Sequence, residues 1–183
     1  ALHPEFDAAA AYRHDAKAAE EWRKYGFGLL LAHRSDGIMR GSGALIALND
    51  GRPHDNLLRS RASAHFSFRK GNSPDAYPSS LMGCIALLRQ TYYDAAWYKA
   101  EGYKQEQNLG LKAWNELQNL PAIFEASDKL DLFRIGQIAR EFNARYIVKT
   151  SGNEYQRLDE VKALGMPLIL SLNFPESYDA RNP

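Results

Sequence analysis

The sequence predicts an α/β fold with parallel strands: a portion of a (β/α)8 barrel that carries a small antiparallel insertion. Three observations predict it. Residues 121–173 alternate apolar runs with amphipathic stretches in the order strand, helix, strand, helix, strand. Strands separated by helices of that length need a crossover, so they run parallel with right-handed connections. Residues 27–33 form a near-continuous apolar run, the pattern of a strand buried on both faces. Counting gives four strands of this type, at 27–33, 122–126, 145–149 and 167–172, in 183 residues. A closed eight-stranded barrel takes about 250 residues. The last run has no helix after it, which favours part of a barrel over an open sheet. Residues 1–183 are therefore read as a single incomplete barrel portion with an insertion at about 36–80. Its exposed edges call for the remaining part of the barrel or a second copy.

Taken in order, residues 5–25 are alanine-rich and helical in pattern, with Phe6, Ala9, Ala10, Tyr12, Ala16 and Trp22 as apolar contacts and Gly26 as the stop. Residues 36–43 (Asp-Gly-Ile-Met-Arg-Gly-Ser-Gly) read as a glycine-rich turn with Asp36 paired to Arg40. The segment lacks the order of a phosphate or dinucleotide loop. Residues 44–48 followed by Asp50 and Gly51 read as a hairpin strand and its turn. Residues 62–68 alternate small or polar residues with aromatic ones. The stretch 36–68 is thus an antiparallel excursion, and 69–80 a turn-rich loop. Ser80 caps a helix running to Ala100, and a second helix spans 108–119.

In the carboxyl half, Asp128 offers an N-cap and Asp131 a first-turn carboxylate. Ile135, Ile138, Ala139 and Phe142 give the stripe of one buried helix face. Ser151 and Glu154 have capping-box spacing. Leu158, Val161 and Leu164 follow, and Gly165 ends that helix.

Composition excludes several classes. The net charge is +1 with basic and acidic residues interspersed, which gives no electrostatic footprint for nucleic acid. The single cysteine, Cys84, rules out an internal disulfide framework and a thiolate-built zinc site, and its apolar neighbours predict a buried, inert thiol. No stretch is long and apolar enough for a membrane span, and none has a signal-peptide pattern. The start at Ala1, without an initiator methionine, fits a mature product, a trimmed chain or a piece of something longer.

Ligands of parallel α/β folds meet the carboxyl ends of the strands. There the sequence offers His33, Glu125, Lys149 with Ser151, and Ser171 with Asn173. Glu125, set between Phe124 and Ala126, is costly to bury unless paired or ligating. It reads either as a metal ligand or general base, or as the partner of Lys149 in a structural salt bridge. His33 and His65 read as packing histidines. No two histidines stand at a local metal-ligand spacing. Tyr92, Tyr93, Trp97 and Tyr98 follow helical spacing, which favours packing. A sugar platform built on Trp97, Tyr98 and Tyr103 is a third reading.

Several motifs carry a resemblance. Residues 65–71 (His-Phe-Ser-Phe-Arg-Lys-Gly), 77–83 (Tyr-Pro-Ser-Ser-Leu-Met-Gly), 86–90 (Ala-Leu-Leu-Arg-Gln), 124–126 (Phe-Glu-Ala), 152–157 (Gly-Asn-Glu-Tyr-Gln-Arg) and 172–175 (Leu-Asn-Phe-Pro) resemble the large exported, imidazolonepropionase-like amidohydrolase proteins of Bacteroidetes-type bacteria. The resemblance covers nearly the whole chain. It implies a distorted (β/α)8 barrel with one or two divalent metals, zinc foremost, and hydrolysis of a C–N bond in a cyclic or linear amide. It also implies a periplasmic or exported setting. Glu125 and Lys149 then become the catalytic candidates, with Glu125 a possible metal ligand, and His33, Ser151 and Asn173 the substrate-binding ones. The departures are specific. The superfamily's first-strand His-x-His is absent and would lie upstream of Ala1. Glu125 and Lys149 stand where related barrels carry histidines, and the final aspartate would lie beyond Pro183. No complete metal site can be assembled, so the chain alone is expected to be inactive. The alternative is a non-catalytic barrel half that serves as a ligand-binding or interaction module.

Overall fold

The computed structural model describes residues 1–52 and 54–172. The expectation for Asn173 therefore lies outside the described residues. One six-stranded sheet organises the chain: β1 (Leu29–Ala32), β2 (Met39–Ala47), β3 (Leu57–Ser67), β4 (Ala122–Glu125), β5 (Tyr146–Lys149) and β6 (Leu168–Ile169), side by side in sequence order. β2 runs antiparallel to β1 and β3, whereas β3, β4, β5 and β6 are parallel neighbours. β1 consequently points the same way as β3 to β6, and their carboxyl ends share one rim. The sheet curls into half a barrel.

This corrects the reading of 36–68 as an excursion. β2 and β3 lie within the sheet, and β3 supplies the parallel neighbour of β4 through Ala64↔Ala122 and Ser67↔Glu125. Glycine and serine blur the pattern of β2, whereas the alternation over 62–68 does mark the end of β3.

The helices are α1 (Ala8–Ala11), α2 (Ala16–Lys24), α3 (Leu81–Ala100), α4 (Leu109–Leu117), α5 (Lys129–Phe142) and α6 (Leu158–Leu164). The single helix expected over 5–25 is two. Asp7 and Asp15 each accept a hydrogen bond from a following backbone N–H and so start separate helices, with extended backbone at Tyr12 between them. The Phe6 carbonyl accepts from Ser42 N at 2.9 Å, which ties the amino-terminal segment to β2. Gly41, at φ +75, admits that close approach, because a Cβ there would collide with the Phe6 carbonyl oxygen.

Side chains cap α3, α4 and α5, whereas the Ser151–Glu154 pair expected as a capping box does not start α6, which begins at Leu158 after Arg157 with no side-chain cap. Ser80 accepts from Gly83 N, Asn108 from Leu111 N and Asp128 from Leu130 N. Asn143 ends α5 at φ 50 and Gly165 ends α6 at φ 64. Strand alternation then sorts the side chains. Phe66, Phe124, Tyr146 and Val148 face the helices and meet Trp114, Leu132, Ile135 and Ile138 in the main core, where Cys84 is buried. Residues one position away along the same strands face the other side.

Candidate functional site

The side of the sheet turned away from the helices carries the charge. Register places Ser67, Glu125 and Lys149 abreast at the carboxyl ends of β3, β4 and β5, with His65 one step below Ser67 on the same face. Arg40 on β2 lies opposite in phase to Met39, which pairs with core-facing Phe66, so its side chain reaches the same face. Five titratable side chains converge there: His33, Arg40, His65, Glu125 and Lys149.

Arg40 is the anchor. Its side chain is 3% exposed, and its planar guanidinium presents a fixed fork of donors. Its Nε donates to the Gly37 carbonyl at 3.0 Å, and one terminal nitrogen donates to Glu125 Oε2 at 2.8 Å. Lys149 Nζ lies 3.7 Å from the same oxygen and is half exposed. The expected pairing of Asp36 with Arg40 is thus not made. Asp36 instead accepts from Arg34 at 3.5 Å and from Asn72 N at 2.9 Å. Glu125 does pair with Lys149 as read, but the shorter contact is with a residue remote in sequence. Burial alone would raise the Glu125 carboxyl; the hydrogen bond and charge of Arg40, with Lys149 beside it, outweigh burial and hold it below the ordinary carboxylate range. Both contacts use Oε2, which leaves Oε1 as an acceptor.

The two histidines, distant in sequence, stack with ring centroids 3.9 Å apart and planes within 7°. Gly43 makes room, since a Cβ there would sit 2.6 Å from His65 Nε2. His65 is buried and its Nε2 lies 2.8 Å from Ser63 Oγ. Burial, then the charges of His33, Arg40 and Lys149, pushes its pKa down to about 3. His33 is lowered too, by burial first and by Arg40 and Lys149 after it, with the Arg34 carbonyl opposing. His33 Nδ1 lies 2.8 Å from that carbonyl, which can only accept. Nδ1 therefore carries the proton, and the Nε2 lone pair is free in the neutral ring.

Two other expectations fare differently. Ser151 is committed elsewhere: its N–H and hydroxyl both donate to Glu154 Oε1, at 2.8 and 3.2 Å, closing the loop before α6. The sugar-platform reading loses Tyr98, which is buried and whose hydroxyl accepts from Asn108 N at 3.2 Å. His65 and Arg40 were not singled out as site residues. Only their joint approach to Glu125 and His33 marks them, and no local spacing encodes that approach.

A cavity of about 580 Å³ lies at the opposite, amino-terminal ends of β4 to β6, floored by Tyr146, Ile147, Leu164 and Met166. Arg140, Arg145 and Tyr146 line it, but no carboxylate or histidine does, so the rim, where a carboxylate, two histidines and two cations meet, is the candidate site.

The resemblance implies a divalent metal at this rim. Among the described residues no group of three or more His, Cys, Asp or Glu side chains could hold an ion. The rim carboxylate is already neutralised by two cations, which would repel a third. The residues present do not fit a metal.

No family model matches the chain, and no curated protein matches it. Its fold is similar to that of a solved amidohydrolase from Thermotoga maritima MSB8, with a TM-score of 0.68 and 16% identity over 80% of this chain and 43% of that one. The chain thus spans less than half the length of that protein, and at this identity the likeness is one of fold.

Proposed function

We propose that the chain is part of an amidohydrolase-like hydrolase that acts on the C–N bond of a linear or cyclic amide, with the strand-end rim as its working surface. One observation carries the reading: a neutral imidazole with a free lone pair, an ionised carboxylate and a half-exposed ammonium share the rim that parallel barrels use for chemistry. In this reading His33 Nε2 takes a proton from water as the hydroxyl adds to the amide carbon. Lys149 faces the developing oxyanion, and the proton passes to the departing nitrogen as the C–N bond breaks. Glu125, held ionised by Arg40, is a weak base and serves through Oε1 to orient the water.

In this reading the half barrel is completed beyond the edges at β1 and β6 by further barrel or by a second copy. Leu29, Ile169, Leu170 and Leu172 are exposed on those margins.

The test is amine release from linear and cyclic amides by the barrel completed in this way, since the chain alone is expected to be inactive. Hydrolysis that falls about 100-fold in both His33→Gln and Lys149→Met is expected, in line with losing a general base or an oxyanion partner. Hydrolysis that is absent, or indifferent to both changes, refutes the reading. The tight Arg40–Glu125 pair favours a second reading, a non-catalytic barrel half that binds ligand or packs against a partner. In that case no amide is turned over.

A further inference from the structure

We infer that the strand-end rim works without a metal drawn from its own side chains: Arg40 is the resident cation of this site, and Glu125 is its counter-ion, not a ligand. The inference rests on the reading of the rim as the functional surface, and three independent geometries support it.

The first is the placement of charge. Arg40 is almost wholly buried, and a buried guanidinium needs its carboxylate. Transfer of Glu125 to a divalent ion would strand that charge. It would also place the ion beside Arg40 and Lys149, whose combined charge already exceeds that of Glu125. The carboxylate already faces two positive groups, and the buried one, Arg40, is the one it must keep.

The second is ring geometry. An imidazole ligates through a lone pair in its own plane, at about 2.0–2.1 Å from zinc. The rings of His33 and His65 are parallel and stacked with centroids 3.9 Å apart. An ion in the plane of one ring therefore stands away from the plane of the other by roughly the ring spacing, too far for a bond. The two histidines cannot chelate one ion while stacked.

The third is occupancy. His65 Nε2 is engaged with Ser63 Oγ at 2.8 Å, and Gly43 leaves no more room beside it than the ring itself requires. The rim thus resembles a metal centre in the kinds of residue it gathers but not in where their lone pairs point.

The experiment is zinc content after equilibrium dialysis, by elemental analysis, for the unmodified protein, Glu125→Gln, and the double change Arg40→Met with Glu125→Leu. The double variant guards against unfolding, because replacing both members of a buried pair with apolar residues is better tolerated than removing one. The expected result is the same zinc content in all three, and no zinc-dependent gain in melting temperature that Glu125→Gln removes. Stoichiometric zinc that disappears in both Glu125 variants, or a zinc-dependent stabilisation lost with them, overturns the inference. Amide hydrolysis is scored separately. Its absence defeats the functional reading and leaves this one standing, and hydrolysis that survives chelation but falls in Lys149→Met supports both.

Discussion

The two faces of the parallel sheet, built from alternate residues of the same short strands, do opposite work. On β4 and β5 the side facing the helices presents Phe124, Tyr146 and Val148, all buried in an apolar core rich in ring contacts. One residue away, Glu125 and Lys149 stand on the opposite side with Arg40 and the stacked histidines. The core face gains from removing apolar area from water. The rim face keeps charges at low dielectric only because each has a partner. Stability and chemistry are thus separated by half a pleat, and a change on one face should leave the other largely untouched.

The comparison breaks most visibly on the core side. Phe124→Ala is expected to cost about 3–5 kcal/mol, read from urea unfolding, since it removes a fully buried ring and leaves a cavity. A loss under about 1 kcal/mol would mean that the sheet is not held by this face. On the rim, Glu125→Ala strands the Arg40 guanidinium. Because Glu125 is partly exposed the expected loss is about 2 kcal/mol, below that of a fully buried pair. Equal stability of Glu125→Ala and the native chain would dissolve the pair's role.

Acid supplies a sharper probe. His65 has a folded pKa of about 3, below its unfolded value near 6.5, so the folded state disfavours its charged form. Its contribution is fully present above about pH 6.5 and is lost as pH falls toward 3. Over that window stability should decline with a slope approaching about 1.4 kcal/mol per pH unit from this one proton. His65→Gln should flatten the profile between pH 6 and 4, and an unchanged slope would contradict the burial of this ring. Glu125 acts lower down. With its folded pKa depressed, its stabilisation is present above its unfolded value and disappears as pH falls through the folded one. The smallest effect is Lys149→Met, a half-exposed partner at 3.7 Å. It should change stability by less than about 1 kcal/mol while activity falls, which separates function from fold.

Much of the scaffold was legible before any coordinates. The Asp128 cap, the stripe through Ile135 and Ile138, Gly165 as a helix stop and the runs at β4 and β5 are local signals, set by neighbours three or four residues apart. The placement of Glu125 beside Lys149 followed from counting along two parallel strands. β2 and β3 were read as antiparallel, as found, but not as members of the same sheet, because sheet order is set by pairing between distant segments, and the first helix was drawn as one because its alanines masked two aspartate caps. The strand read over 167–172 shortens to Leu168–Ile169, which pairs with β5.

The sequence by itself determined the helices of the carboxyl half and the runs at β4 and β5, and that a carboxylate and an ammonium would meet at one rim, because these depend on periodicity and caps within short windows. Only the tertiary structure decided that Arg40 would claim Glu125 and that His33 would lie flat on His65. Those contacts join residues far apart in the chain, chosen by sheet order and by the room that Gly43 leaves, and no local pattern carries that information.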